Sequence, residues 1–502
     1  MVFELLSDVG TTTWLTVLLV LVLSWYWTAG QSKNLPPSPG IALPFIGHMY
    51  LLEKNPRKQF ERWVKRFGPA FSLRFGMNQV VVLNTYDVLK EALVKQGDHF
   101  SDRPSTGFIA ANVPLHSKGV ISSSGANWKE QRTTSLAILR NFGMGKNILA
   151  EKISVEVSKY IEAVSESGGK PTDIRTLTNI SVSNIICSII FGKRFEFDDP
   201  KFIELIKALN LAIASVSGTS LLNFLPALRL LPFDPFKSKQ LIARLTATQN
   251  FAKKMIDEIK HDSTNTKNFI AAYINEMKEK EKRGESTLLD ETNLVRVIDN
   301  LFAAGTETTS TTILWSLLFV LHNPEVQKKI YLEILEEVGV NRAPTIQDRP
   351  KLKYLTAFIM ETQRMASLVP FSLIHVCNQD ETVAGYTIPK GTQVFPNLDA
   401  VLMDEKIWGD PRNFRPERFI DEQGNIKNRE ELIPFSIGRR VCLGESLAKM
   451  ELFLYLSSLF QRFEILPAKD NSIPLIKETF AIVVSPPPFE IRCVERHLNV
   501  NT

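Results

Sequence analysis

Near the C-terminal end, Phe435-Ser436-Ile437-Gly438-Arg439-Arg440-Val441-Cys442-Leu443-Gly444 places one cysteine just ahead of a helical pattern, Glu445 to Gln461. A thiolate that is to hold iron needs a lowered proton affinity, which a helix N-terminus supplies. It also needs backbone N–H groups turned toward sulfur, and Gly438 and Gly444 permit the unusual backbone angles this takes. Phe435 offers an apolar wall to a flat macrocycle, and Arg440 offers a guanidinium to an acidic substituent on it. A chance match to Phe-x-x-Gly-x-Arg-x-Cys-x-Gly in a chain of this length is on the order of one in ten thousand. Cys187, Cys377 and Cys493 lack such a setting and read as inert thiols. No Cys-x-x-Cys pair occurs, which excludes a zinc ribbon or a disulfide framework.

A second constellation is Ala304-Gly305-Thr306-Glu307-Thr308-Thr309, in the middle of a proline-free helical stretch from Asp290 to His322. Threonine and glycine are poor helix formers, and an acid inside an apolar helix is costly unless it is used. Alone, this reads equally as a helix kink. Glu361 and Arg364 share a helix face at i, i+3. Phe414-Arg415-Pro416-Glu417-Arg418-Phe419, Trp128-Lys129-Glu130-Gln131-Arg132 and Phe100-Ser101-Asp102-Arg103-Pro104 complete the set.

Together these segments closely resemble the haem-thiolate monooxygenases of the cytochrome P450 family, from the proline-rich stretch near residue 36 to the C-terminus. The likeness is to the microsomal animal type, family 2. It implies a mainly α fold with a minor β part in a single large domain. It implies haem held by Cys442, with Phe435, Gly438, Gly444 and Ala304 against it, and Arg440, Trp128, Arg132, Arg103 and His375 toward its propionates. Thr308 and Glu307 would deliver protons to the reacting oxygen of O₂ in a widened helix groove. Glu361, Arg364 and Arg418 would form a buried structural network. The substrate pocket would be lined by Phe108 and Ile109 in the loop after Arg103, by Phe302 and Ala304, by Val369 and Leu373, and by Ile482.

The implied reaction hydroxylates or epoxidises lipophilic substrates such as fatty acids, steroids or xenobiotics. No Gly-x-Gly-x-x-Gly or Walker fingerprint occurs, so electrons are expected from a separate NADPH-dependent diflavin reductase, docked on Lys129, Arg439 and Lys449. The alternatives are a peroxide-rearranging haem-thiolate isomerase that needs no reductase, and a non-catalytic haem-binding protein. A membrane hydrolase ranks last, since Gly-x-Ser-x-Gly and His-Glu-x-x-His are absent.

The elements that position these residues are legible as patterns. Residues 1–32 read as a transmembrane anchor, with no charge between Asp8 and Lys33 and an acidic start unlike a signal peptide. Residues 33–49 read as a stiff proline-rich spacer and 50–502 as the catalytic domain, on the cytosolic face of the endoplasmic reticulum membrane. Helical patterns cover Lys58 to Phe67, Tyr86 to Gln96, Asn147 to Glu166, Leu241 to Lys260, Asn268 to Lys282 and Leu355 to Ala366; strands are expected in Ala70 to Leu83 and Glu381 to Val394. The apolar, proline-interrupted stretch Leu221 to Phe233 reads as a loop dipping into the membrane. In 502 residues, Lys+Arg number 59 against 54 Asp+Glu, too thin an excess for nucleic-acid binding.

Overall fold

The computed structural model describes residues 10–29, 34–53, 55–144, 147–262, 267–470 and 472–496. Its centre is one helix, Glu291–His322, of 32 residues and about 48 Å. Asp290 caps it by accepting the Asn293 N–H, and Asn323-Pro324 ends it. From Thr309 to Leu321 the helix is buried all round, as a helix enclosed by others must be. Helices Arg175–Ile190, Ser238–His261, Lys353–Ala366 and Glu445–Arg462 pack around it.

The minor β part lies to one side. Strands β1 (Ala70–Phe75), β2 (Asn78–Leu83), β3 (His375–Val376) and β6 (Gln393–Pro396) form one sheet in the order β1-β2-β6-β3. β1 and β2 are an antiparallel hairpin, Ala70 facing Leu83, while β2 and β6 run parallel, Val80 facing Gln393. The Val80-Val81-Val82 run is buried on both faces, which is why it lacks a polar alternation. β4 (Glu381–Val383) pairs with β5 (Tyr386–Ile388), and β7 (Phe463–Pro467) with β8 (Ile491–Glu495).

Several expectations change. The proline-rich stretch is no free spacer: Pro36 and Pro37 carbonyls accept from Ser72 Oγ and N–H at 2.7 and 2.8 Å, so residues 36–47 are stitched to β1. Leu221 to Phe233 is not all loop. The helix Pro200–Phe224 runs into it, and a 3₁₀ turn, Pro226–Leu230, follows. Its end is bare, with Leu230 80% and Phe233 99% exposed. Phe108 and Ile109 open a short helix, Phe108–Asn112, rather than lying in a loop.

The central helix is continuous through Gly305, with no break. A Cβ there would lie 2.5 Å from Ile186 Cδ1, so the glycine permits close approach of the helix Arg175–Ile190. The expected anchor, 1–32, extends beyond the described residues at both ends. Among the described residues no helix is long and apolar enough to cross a membrane. The helix Thr11–Ala29 is uncharged and exposes Trp14, Leu15 and Val17 through Leu21.

Candidate active site

The cysteine loop is built by strain that packing compensates. Ser436 and Gly438 both take positive φ, 63° and 79°. A Cβ on Gly438 would stand 1.9 Å from the Leu93 carbonyl oxygen, so only glycine fits against that turn. Cys442 N–H donates to Phe435 O at 3.0 Å and closes the loop. Gly444 differs from expectation: at φ −92°, ψ 8° its backbone is ordinary, and it caps the helix Glu445–Arg462.

The Cys442 side chain is accessible and yet deep, open on one side and packed against protein on the others. Burial raises the thiol's pKa, against the expectation of a lowered one. The Gly444 and Glu445 N–H groups and the Arg132 charge oppose the rise without cancelling it. Cys187, Cys377 and Cys493 are buried.

Cations gather beside the cysteine. Arg132 Nη2 donates to Val441 O at 2.7 Å. Arg440 reaches Ser101 O at 2.8 Å and Ser123 O at 2.5 Å, with its guanidinium 3.9 Å over the Trp128 ring. Arg103 Nη1 donates to Leu373 O and Ile374 O, and His375 Nδ1 meets Phe100 O at 2.6 Å. Burial pushes Arg103 down to about 10. Burial, then repulsion from Arg103, pushes Arg440 down to about 8; Asp102 pulls the other way. Burial and Arg103 hold His375 well below the usual histidine range. Among the described residues, none of Arg103, Arg132 and Arg440 forms an ion pair with a carboxylate. Carbonyls solvate these charges, and nothing neutralises them.

The opposite wall is the central helix. Its three threonines divide by face. Thr306 accepts from Ser183 Oγ at 3.1 Å and Thr309 donates to Glu451 Oε2 at 2.9 Å, both in packed interfaces. Thr308 donates to Ala304 O at 2.8 Å, and Ala304 is exposed in an otherwise buried stretch. Burial pushes Glu307 up to about 7, with Thr311 Oγ1 and the Arg175 charge pulling the other way. Its Oε2 has no partner. Glu451, which the sequence reading passed over, is pushed up to about 8 by complete burial. Its signal was an acid inside the apolar run Met450-Glu451-Leu452-Phe453. The walls are joined at Val120, whose N–H donates to Asn300 Oδ1 on the central helix while its carbonyl accepts from Arg440.

The structure brings Glu361, Arg364 and Arg418 together. Arg364 Nε and Nη2 grip the Glu361 carboxylate at 2.8 and 2.9 Å, and Arg418 Nε adds 3.0 Å. Remaining donors go to Leu402 O, Pro411 O and Trp408 O, so the buried network is satisfied.

The expected pocket residues separate. Val484 N–H bonds Leu368 O at 2.7 Å, which sets the turn carrying Ile482 beside Val369; Leu373 lies half-buried beyond. Ile109 N–H bonds Asn223 Oδ1 at the end of the helix Pro200–Phe224. Phe302 is a correction: it is buried among Phe202 and Phe251, ring centroids 6.4 and 5.7 Å away, in the aromatic core. It lies two positions from Ala304, about 200° around the helix. The expected docking cations are exposed but paired: Arg439 and Lys129 with Asp98, Lys449 with Glu445. That surface is mixed in charge, not a basic patch.

A thiol at a helix N-terminus, a ring of uncompensated cations and a titrating acid beside a hydroxyl define a redox enzyme built around an anionic, thiolate-ligated cofactor. Comparison with known proteins agrees. The family model "Cytochrome P450" matches residues 36–493. "Cytochrome P450 2U1" of Homo sapiens is 36% identical over 509 residues, covering 95% of this chain and 92% of the relative. "Cytochrome P450 2C3" of Oryctolagus cuniculus is 38% identical, covering 94% and 96%, and "Cytochrome P450 2J2" of Homo sapiens 38%, covering 91% and 90%. The chain belongs to the cytochrome P450 family. It is a haem-thiolate monooxygenase, whose cofactor is haem bound through a cysteine thiolate.

The residues present fit that cofactor. The cation ring suits two propionates, which convert costly buried charge into charge-assisted hydrogen bonds. Trp128 Nε1 is buried with no acceptor among the described residues, as a donor awaiting an anion is.

Proposed function

We propose that the protein, fed by an NADPH-dependent diflavin reductase, hydroxylates or epoxidises lipophilic substrates at the endoplasmic reticulum membrane, its catalytic domain on the cytosolic face. The reading rests on one observation above the others: Cys442 is an accessible thiol beside buried arginines that no protein carboxylate neutralises. Arg103, Arg132, Arg440, Trp128 and His375 would bind the propionates. Phe435, Gly438, Gly444 and Ala304 would flank the ring. Haem held there supplies reductive activation of O₂. Glu307, ordinarily ionised but pushed up to about 7, can take and release a proton at neutral pH. The Thr308 hydroxyl, directed by Ala304 O, would position that proton at the reacting face. A titrating Glu307 favours proton delivery over peroxide rearrangement, which needs none.

The matched residues 36–493 leave no room within them for a flavin domain, which supports a separate electron donor. Residues 1–32 would anchor the chain, 33–49 would form the hinge, and 50–502 would be the catalytic domain. The apolar face of Thr11–Ala29 and the bare Leu230 and Phe233 support the membrane reading. Val369, Leu373, Ile482, Phe108, Ile109 and Ala304 would line the pocket. The test is a carbon monoxide difference spectrum of the reduced protein. We expect a thiolate-type Soret band, lost in Cys442→Ser; its absence from the native protein would sink the reading.

A further inference from the structure

One buried cation on the central helix plays no part in the chemistry above. Arg296 lies two turns before Ala304 and is 8% exposed. Its guanidinium is tied through Nη1 to Asp299 Oδ2. Asp299 is in turn held by Thr248 Oγ1, at 2.6 Å from its other oxygen. Nε has no partner among the described residues. Holding an arginine by Nη1 leaves the Nε–Nη2 edge, the edge that takes a carboxylate with two parallel hydrogen bonds. A purely structural ion pair in such a place would satisfy Nε as well.

The surroundings place this edge beside the substrate region. Along the helix, Thr308, Ala304 and Asn300 are each one turn apart on one face, and Arg296 sits at the margin of that face. Asn300 Oδ1 holds the N–H groups of Val120 and Ile121 at 3.1 Å. Arg296 Cγ would lie 2.8 Å from a Cβ on Gly119, so the side chain runs directly under this segment. His116 is on the same segment. Burial, then the Arg296 charge, lowers its pKa, so it stands there as a neutral second hydrogen-bonding group. The other charges nearby are Asp299 and, further along, Lys118 paired with Asp290.

We propose that Arg296 is the polar anchor of the substrate pocket and selects a long-chain monocarboxylate, held by its acid group with the reacting carbon near Ala304. The eight-residue separation sets the acid and that carbon about 12 Å apart along the helix. This deepens the reading of the site given above and rests on it. The experiment uses the haem-loaded protein with dodecanoate and methyl dodecanoate, reading dissociation constants from the substrate-induced Soret shift. The acid should bind roughly tenfold or more tighter than the ester, the worth of a charge-assisted pair. Arg296→Gln should erase that preference, leave the ester's affinity unchanged, and keep the carbon monoxide spectrum intact. Equal binding of acid and ester by the native protein overturns the proposal without recourse to any variant. So does a preference that survives in Arg296→Gln. Either result leaves the monooxygenase reading standing, because the spectrum and ester turnover report on it separately.

Discussion

Replacing Glu307 by glutamine tests the balance between burial and charge at the site. The carboxyl's ordinary value is 4.5, and burial carries it up to about 7. Unfolding returns it to water. Between pH 4.5 and 7 the folded chain keeps this proton and the unfolded chain does not, so stability falls as pH rises through that window. The full fall is about 3 kcal/mol, at about 1.4 kcal/mol per pH unit. Below 4.5 both states are protonated, and above 7 both are ionised, so the effect is flat on either side. Glutamine is neutral throughout and keeps the shape. The assay is urea unfolding of the native protein and Glu307→Gln in parallel at pH 5 and pH 8. Contributions from Glu451 and other groups occur in both proteins and cancel in the difference. Glu307→Gln should gain about 3 kcal/mol on the native protein between the two pH values. Its product formation should fall on the order of 10²-fold while NADPH consumption continues, since the proton donor is gone and electron entry is not. Equal pH dependence in the two proteins would refute the burial argument, and undiminished product formation would refute the proton role.

Gly305→Ala should cost about 1–3 kcal/mol by overpacking, because its Cβ meets Ile186 Cδ1 at 2.5 Å; thermal unfolding checks this, and Ile186→Ala should restore most of the loss. Gly438→Ala should displace the cysteine loop, since its neighbour is the rigid Leu93 carbonyl rather than a side chain; haem content should drop sharply. Glu361→Ala should destabilise by about 3–5 kcal/mol, leaving the guanidinium groups of Arg364 and Arg418 buried without their anion, and soluble yield is the readout. Leu230→Asp with Phe233→Asp should shift the protein from membrane pellet to supernatant in part, with unchanged thermal stability, as both side chains are exposed.

Much of the architecture was legible because it is local. The long central helix carries its own cap, Asp290, and its own stop, Asn323-Pro324. The β1–β2 hairpin announces itself through Val80-Val81-Val82 and the turn at Gly76. The pairing of β7 with β8 was not legible, because its partners lie more than twenty residues apart with no turn signal linking them. The stitching of Pro36 and Pro37 to Ser72 was hidden for the same reason: proline predicts stiffness, not what a stiff segment lies against.

Residue type and spacing along the chain by themselves determined the chemistry of this protein. A cysteine flanked by Gly438, Arg440 and Gly444 ahead of a helix, and an acid–alcohol pair within another helix, are sequence-local devices whose meaning survives without coordinates. What only the tertiary structure decided is where each side chain spends its interactions. Phe302 faces the aromatic core, though Ala304, two positions on, faces the open side. Gly305 serves Ile186. Lys129 and Arg439 are paired on Asp98. Arg296 keeps a free edge because Asp299 takes only one of its nitrogens. Helix phase, burial and pairing depend on neighbours distant in sequence, and desolvation, the largest influence on these charges, is a property of the packed molecule alone.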